Sequence, residues 1–343
     1  MYEDEFIENV PESLRKYYII ENLVFDTTID NVDETIDKIY QFPNVSTFYL
    51  INLIIYAAEQ RRFNFKALAM LFSKVRKGRI TFPYTDFIQY AEKCGYVRPT
   101  QIRSLEYITR TAEELEIPFP KGTIAYEIAT NNYQNVVTLS ANTNLLKEQF
   151  TYEKDLVSCL DIAAACGNLE IFNYLQINGL EITQSTIQCA ISGGNNDIIE
   201  TIAQQGHNFE HCILYAIHHH RHKIFDWLLD EYGCIGQTLT DCIASFNTYA
   251  FIRCLEAGLD INETDHTFFQ EPPFLMAVKV GIPELVLYIT EHGGQKIDNS
   301  RLLFSYATTE EVRQCLLSLG YEEPQDGIRP SRRCISMRHR SWV

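Results

Sequence analysis

Apolar positions in the stretch 160–183, LDIAAACGNLEIFNYLQINGLEIT, fall into two short bursts at helical spacing. Gly167-Asn168 separates the bursts, and Gly179 closes the second as a helix C-cap would. The pattern predicts a helix–turn–helix of about twenty residues, too small to cover its own apolar face. The template recurs downstream. Anchored on the small residue Ala163 of the first helix, its equivalents are Ala190, Ala216, Cys242, Ala277 and Phe304. Anchored on Gly179, they are Gly206, Tyr232, Gly258, Gly293 and Gly320, with Gly233 following Tyr232 directly. Both series step by 27, 26, 26, 35 and 27 residues. Eight residues after the first anchor stand Ile171, Ile198, Ile224, Ala250, Leu285 and Val312, all apolar, as a buried stripe on the second helix requires. A weaker upstream copy at 124–146 places Val136 eight residues after Ile128. Fixed-period self-similarity of this kind marks a solenoid.

Residues 1–120 do not follow the template, but they too read as helical. INLIIYAAEQ runs into Arg61-Arg62 and then FNFKALAMLFSKV, with apolar residues at helical spacing. Further amphipathic helices are predicted around 11–25, 30–41, 83–94 and 99–116. The last stretch, 321–343, changes character: it carries two prolines and five arginines, and residues 326–343 sum to +4. It reads as a tail.

The repeats resemble the ankyrin repeat. Ser158-Cys159-Leu160-Asp161-Ile162-Ala163-Ala164 stands where that family has T-P-L-H-x-A-A, and Gly167-Asn168-Leu169-Glu170-Ile171-Phe172 where it has G-H-x-E-I-V. Gly258-Leu259-Asp260-Ile261-Asn262 resembles the end of a repeat, and Pro273–Val278 followed by Gly281–Val286 is the best single copy. The likeness covers about residues 155–320. Most steps are shorter than the family's roughly 33 residues, so the projecting hairpin between repeats should be missing except at about Asp260–Pro273. The N-terminal motif LIIYAAEQRRFNFKALAMLF (53–72) resembles the uncharacterised helical region that precedes short ankyrin repeats in a large family from protozoan parasites.

These readings predict an all-α chain, an ankyrin-like helical-hairpin solenoid with an N-terminal helical domain. The expected division is 1–120 for that domain, 121–154 for a degenerate first repeat and connection, 155–322 for six repeats, and 323–343 for the basic tail. The resemblance implies that the two residues before each inter-helix turn point to the concave surface. Those are Ala165 and Cys166, Ser192 and Gly193, His218 and His219, Ala244 and Ser245, and Lys279 and Val280. In the one long finger, Asp265, His266, Phe268, Phe269 and Gln270 are the candidate contacts. The aromatic pair serves either a partner or the finger's own packing.

Charge and chemistry narrow the function. The net charge of −16 argues against nonspecific nucleic-acid binding, and residues 1–40 alone carry eleven acidic against three basic side chains. The most apolar window, 48–58, is too short to span a bilayer, and the N-terminus lacks the pattern of a signal peptide. The ten cysteines form no CxxC pair, so a cytoplasmic location with reduced thiols is expected. His218, His219, His220 and His222 crowd into YAIHHHRHKIF, but the register puts His220 in the inter-helix turn. His218 and His222 would then lie on different helices and lose the i,i+4 geometry of a metal pair. An exposed polar turn is expected there. His218 and His219 are either pH-sensitive contacts or solvated residues. The cysteines suit core filling, with Cys166 the best placed for reactivity and Cys334 second.

No nucleophile, phosphate-loop or dinucleotide motif is present, so no catalytic residue, metal or cofactor is assigned. Arg332-Arg333-Cys334-Ile335-Ser336 suits an arginine-directed kinase, and Ser341-Trp342-Val343 suits a PDZ domain; an unstructured end explains both equally. The function expected is a protein-interaction scaffold with an unknown protein partner, and no nucleic acid, membrane or small-molecule substrate. The alternative is an adaptor whose N-terminal helices recruit degradation or signalling machinery. An enzyme built from distant repeats is the third reading.

Overall fold

The computed structural model describes residues 5–75, 85–97, 110–152, 155–233, 239–264 and 271–324. After a 3-10 turn at Glu5–Glu8 come α1 (Glu12–Phe25), α2 (Val32–Tyr40), α3 (Thr47–Gln60), α4 (Phe65–Lys74) and α5 (Asp86–Lys93). Then follow α6 (Ala112–Glu116), α7 (Ile124–Ala129), α8 (Tyr133–Ser140) and α9 (Thr143–Leu146), and a hairpin of β1 (Gln149–Tyr152) and β2 (Asp155–Ser158). The repeats supply α10 (Cys159–Ala165), α11 (Leu169–Ile177), α12 (Gln184–Gly193), α13 (Asn196–Gln204), α14 (Ile213–His218) and α15 (His222–Tyr232). They continue with α16 (Leu239–Ala244), α17 (Thr248–Glu256), α18 (Pro273–Val280), α19 (Pro283–Glu291), α20 (Ser300–Tyr306) and α21 (Glu310–Ser318). The fold is an all-α helical-hairpin solenoid with N-terminal helices. The hairpin is unanticipated: β1 and β2 pair antiparallel, Gln149 opposite Ser158 and Phe150 opposite Val157. Phe150 packs edge-on against Phe119, with ring centroids 6.2 Å apart.

By their contacts the described residues divide into two compact units, one drawn from 5–97 and 239–324, the other from 110–233. In the unit built around 110–233, hairpins α7/α8, α10/α11, α12/α13 and α14/α15 pack side by side, first helix on first helix. The anchors Ala163, Ala190 and Ala216 are buried, and so are Ile171, Ile198 and Ile224 on the second helices. Side chains fix where the helices begin: Ser158 with Asp161, and Thr183 with Thr186, each form a capping box. Gly179 and Gly206 end α11 and α13 with φ of 90° and 81°, conformations that cost any other residue a Cβ clash. Gly233, not Tyr232, takes this role after α15, with φ of 71°.

Each inter-helix turn carries one left-handed residue: Asn131, Gly167, Gly194 and His220, with φ from 50° to 75°. The residue after it reaches back one hairpin. Asn168 Nδ2 donates to the Ile128 carbonyl at 2.7 Å, and Asn195 Nδ2 to the Gly167 carbonyl at 2.8 Å. Arg221 donates to the Ser192 and Gly193 carbonyls at 2.8 and 2.7 Å. These bonds satisfy helix-end carbonyls that would otherwise lack partners and set the register between hairpins. The first helices α10 and α12 also come very close, because Gly193 has no side chain. A Cβ there would sit 2.3 Å from the Ala164 carbonyl oxygen and 2.9 Å from that of Ala165.

In the other unit, α1 and α3 pack against the inter-helix turns of the C-terminal repeats. Phe246, the left-handed turn residue between α16 and α17 with φ of 51°, lies 5.7 Å from both the Tyr49 and the Tyr56 rings. Phe6 meets Tyr249 at 4.3 Å, and a Cβ on Gly281 would touch Phe48 at 3.6 Å. Lys16 Nζ and the Tyr17 hydroxyl both donate to the Glu284 carboxylate in the first turn of α19, at 2.5 Å each. Glu21, fully buried, accepts three bonds: from Tyr49 Oη at 3.0 Å, from the Thr248 amide at 2.8 Å and from Thr248 Oγ1 at 2.9 Å. Within the N-terminal helices Phe65, Phe72 and Phe87 form an edge-to-face core, and Arg62 pairs with Asp86.

Gly193→Ala distinguishes close approach from helix propensity by sign. Propensity alone would stabilise the variant by about 1 kcal/mol. The contact with the α10 carbonyls predicts instead a loss of roughly 1–3 kcal/mol, read as a lower urea midpoint at unchanged slope.

Candidate protein-binding surface

The surface expected to bind a partner lies at the C-terminal ends of the first helices. In the unit around 110–233, Ala165, Cys166, Gly193 and His218 are half-buried, Ser192 is buried, and His219 is 8 % exposed. Successive first helices thus bring Ala165, Gly193 and His218 to one edge, with small residues between them. Ser192 Oγ donates to the Gln188 carbonyl within its own helix, and its carbonyl is held by Arg221, so its role there is structural.

The equivalent residues of the other unit are differently placed. Ala244, Ser245 and Val280 are all 0 % exposed. Ser245 lies beside the Tyr56 hydroxyl of α3. Lys279 is ion-paired with Glu271 at 2.5 Å and stands over the Tyr306 ring at 4.2 Å. The turn edge here is occupied by the chain's own N-terminal helices. Reading Ala244, Ser245 and Val280 as open contacts treats the repeats as if nothing covered them. The finger residues Asp265, His266, Phe268, Phe269 and Gln270 lie outside the described residues, as does Cys334 with the tail motifs.

The histidine cluster is not an exposed polar turn. His219 and His220 are each 8 % exposed, and His218 and His222 are half-buried. The cause is the tightness of the turn: His220 takes φ of 50°, and Arg221 folds back onto the preceding hairpin, so the rings tuck inward. His218 ends α14 and His222 begins α15, on separate helices. Among the described residues, no three or more His, Cys, Asp or Glu side chains gather as metal ligands would.

Among the described residues, the repeat thiols behave as core groups, whereas Cys94 at the end of α5 is exposed. Burial pushes Cys159, Cys166 and Cys212 up to about 12 and Cys315 to about 11, opposite to what a reactive thiolate needs. Cys242 and Cys254 lie with their sulfurs 3.9 Å apart in the interior. The buried acid Asp161 accepts from Thr186 Oγ1 at 2.5 Å and from the Ser158 amide at 2.8 Å. Those bonds tie α10 to α12 and close its cap. The groups sequence reading missed are Glu21, Glu284 and the back-reaching turn residues. Asparagine recurs one residue past the left-handed turn position at Asn132, Asn168, Asn195 and Asn247, a signal that was available.

A family model described as a domain of unknown function (DUF3447) matches residues 177–254. Among solved structures, the chain is similar to the crystal structure of the human ASB11 ankyrin repeat domain. That match has 17 % identity and a TM-score of 0.43, and covers 60 % of this chain and 99 % of that one. No curated protein matches the chain. Among the described residues, no helix is long and apolar enough to cross a membrane.

Alkylation at pH 8, mapped by peptide mass, tests the thiol assignment. Cys166 in the native chain should react at least about a hundredfold more slowly than in the urea-unfolded chain, in line with its lower thiolate fraction. Equal rates would mark it as a reactive surface thiol.

Proposed function

We propose that the chain is a protein-interaction scaffold that binds its partner along the first-helix edge of the repeats between 124 and 232. The observation behind this is the contrast between two sets of equivalent positions. Ala165, Cys166, Gly193 and His218 remain partly open, whereas Ala244, Ser245 and Val280 are buried and only Lys279 of that set stays partly open. Stacked hairpins offer an extended surface made of many shallow contacts, which suits binding rather than chemistry. Ser192 and His219 support that edge from below, and the finger at Asp265–Gln270 belongs to the same proposal. So do a cytoplasmic setting, free thiols and kinship with the protozoan family of short repeats.

The adaptor reading has its own support. Ile29 in the turn after α1, Tyr40 at the end of α2 and Phe63 in the 3-10 turn before α4 leave large apolar side chains 41–53 % exposed, a surface that can engage a second protein.

Affinity capture by the 343-residue chain from native lysate, compared across variants of unchanged far-UV circular dichroism, separates the two. Ala165→Glu and His218→Glu should each weaken recovery of the principal partner by about tenfold or more, the loss of one hot-spot contact. Recovery unaffected by both, yet abolished by Tyr40→Asp or Phe63→Asp, would overturn the first-helix reading in favour of the N-terminal one.

A further inference from the structure

The contact that seats the N-terminal helices on the repeats is chemically unusual. Glu21 is buried, 227 residues along the chain from the helix end it meets. All three of its donors, Tyr49 Oη and the Thr248 amide and hydroxyl, are neutral. The lysine one turn away on the same helix, Lys16, is already engaged by Glu284. A carboxylate in such a place gains from the amide at the start of α17 and from the helix dipole, but it loses its hydration with no cation to replace it. Turn residues Ser245 and Phe246 lie directly beside this contact, under Tyr49 and Tyr56.

We propose that Glu21 is a proton-operated latch: in its neutral form it holds α1 and α3 against the start of α17, and in its ionised form it loosens them and uncovers the turn at Ala244–Thr248. The groups around it permit this. From α3 comes Tyr49, whose phenol burial and the neighbouring carboxyl push well up, so it stays a neutral donor. From α1 itself comes Tyr17, also pushed up by burial and by Glu284. From α19 and α21 come Glu284 and Glu311, both acidic and both felt at Tyr17. From α17 come the amide and hydroxyl of Thr248, while Arg253 of the same helix pairs with Glu256 at 3.0 Å and stands over the Phe6 ring. Of the acids of α2, Asp33 and Glu34 are engaged by Lys74 and Lys38 at 2.6 and 2.7 Å, and Asp37 is exposed.

Burial raises the Glu21 carboxyl to about 8, against the opposing effect of its hydrogen bonds from Thr248 and Tyr49. A carboxyl raised in the closed state favours closure fully below its ordinary range. That advantage is lost progressively as pH rises from there through about 8. Release would add Ala244 and Ser245 to the surface available to a partner. This last consequence rests on the scaffold reading; the latch itself does not.

Hydrogen exchange of the 343-residue chain, corrected for the intrinsic pH dependence of the chemistry, tests the latch at pH 6, 7.5 and 9. Peptides from 12–25 and 239–256 should lose protection by roughly ten- to a hundredfold between pH 6 and 9, the span the linkage allows. Peptides from 159–204, which lie in the other unit, should not change. In Glu21→Gln the fall should vanish. An equal fall in that variant, no fall in the wild type, or a matching fall at 159–204 would overturn the proposal. Should Glu21→Gln fail to fold, Thr248→Val serves instead. It removes one donor to the carboxylate and should move the midpoint to higher pH; an unmoved midpoint counts against the latch.

Discussion

A helical hairpin of about twenty residues can be closed only by something laid against it, and in this chain the inter-helix turn decides what that is. At the turns from α7/α8 through α18/α19 one residue adopts the left-handed conformation, and this reverses the chain in the space of a few bonds. The reversal leaves amides at the start of the second helix and carbonyls at the end of the first without helical partners. In the unit around 110–233 those groups are met from the next hairpin, by Asn168, Asn195 and Arg221. In the unit that contains the N-terminus, Glu21 of α1 accepts from the amide that opens α17, while Tyr17 binds the side-chain carboxylate of Glu284 in the first turn of α19. The same unsatisfied edge is therefore used in two ways, once to join repeat to repeat and once to receive the N-terminal helices.

Magnitudes explain why the second use is tolerated. A left-handed conformation costs a non-glycine residue about 1–2 kcal/mol, and Phe246 bears that cost. Its ring gains two aromatic neighbours, each pair contributing about 0.5–1.5 kcal/mol beyond the area buried. The strained turn and the helices that cover it stabilise one another. His220 carries similar strain and turns its imidazole inward rather than to solvent, for the same geometric reason.

What could be seen in the sequence was local. The anchors Ala163, Ala190, Ala216, Cys242 and Ala277 are buried, because a small residue at a fixed place in a short helix has a single role. The closing glycines at 179, 206, 258, 293 and 320 all have positive φ, and the helices expected at 11–25 and 30–41 are found at Glu12–Phe25 and Val32–Tyr40. What could not be seen was long-range. Nothing near Glu21 announces a partner at Thr248, and nothing near Ser245 announces Tyr56. Ala244, Ser245 and Val280 therefore looked open when they are buried. The short hairpin at 149–158 escaped because four-residue strands carry too little periodicity to stand out from a connection. The inward histidines escaped because polarity was weighed and the tightness of the turn was not.

The account turns on the N-terminal helices being a structural partner of the C-terminal repeats. Native-state hydrogen exchange of the intact chain across a urea series below the unfolding transition measures this most directly. Amides of α1, α3, α17 and α19 should converge on one opening free energy, with α10–α13 free to follow another. If α1 and α3 instead open together at low urea while α17 and α19 keep their full protection, the two regions are separate folding units and the account is contradicted.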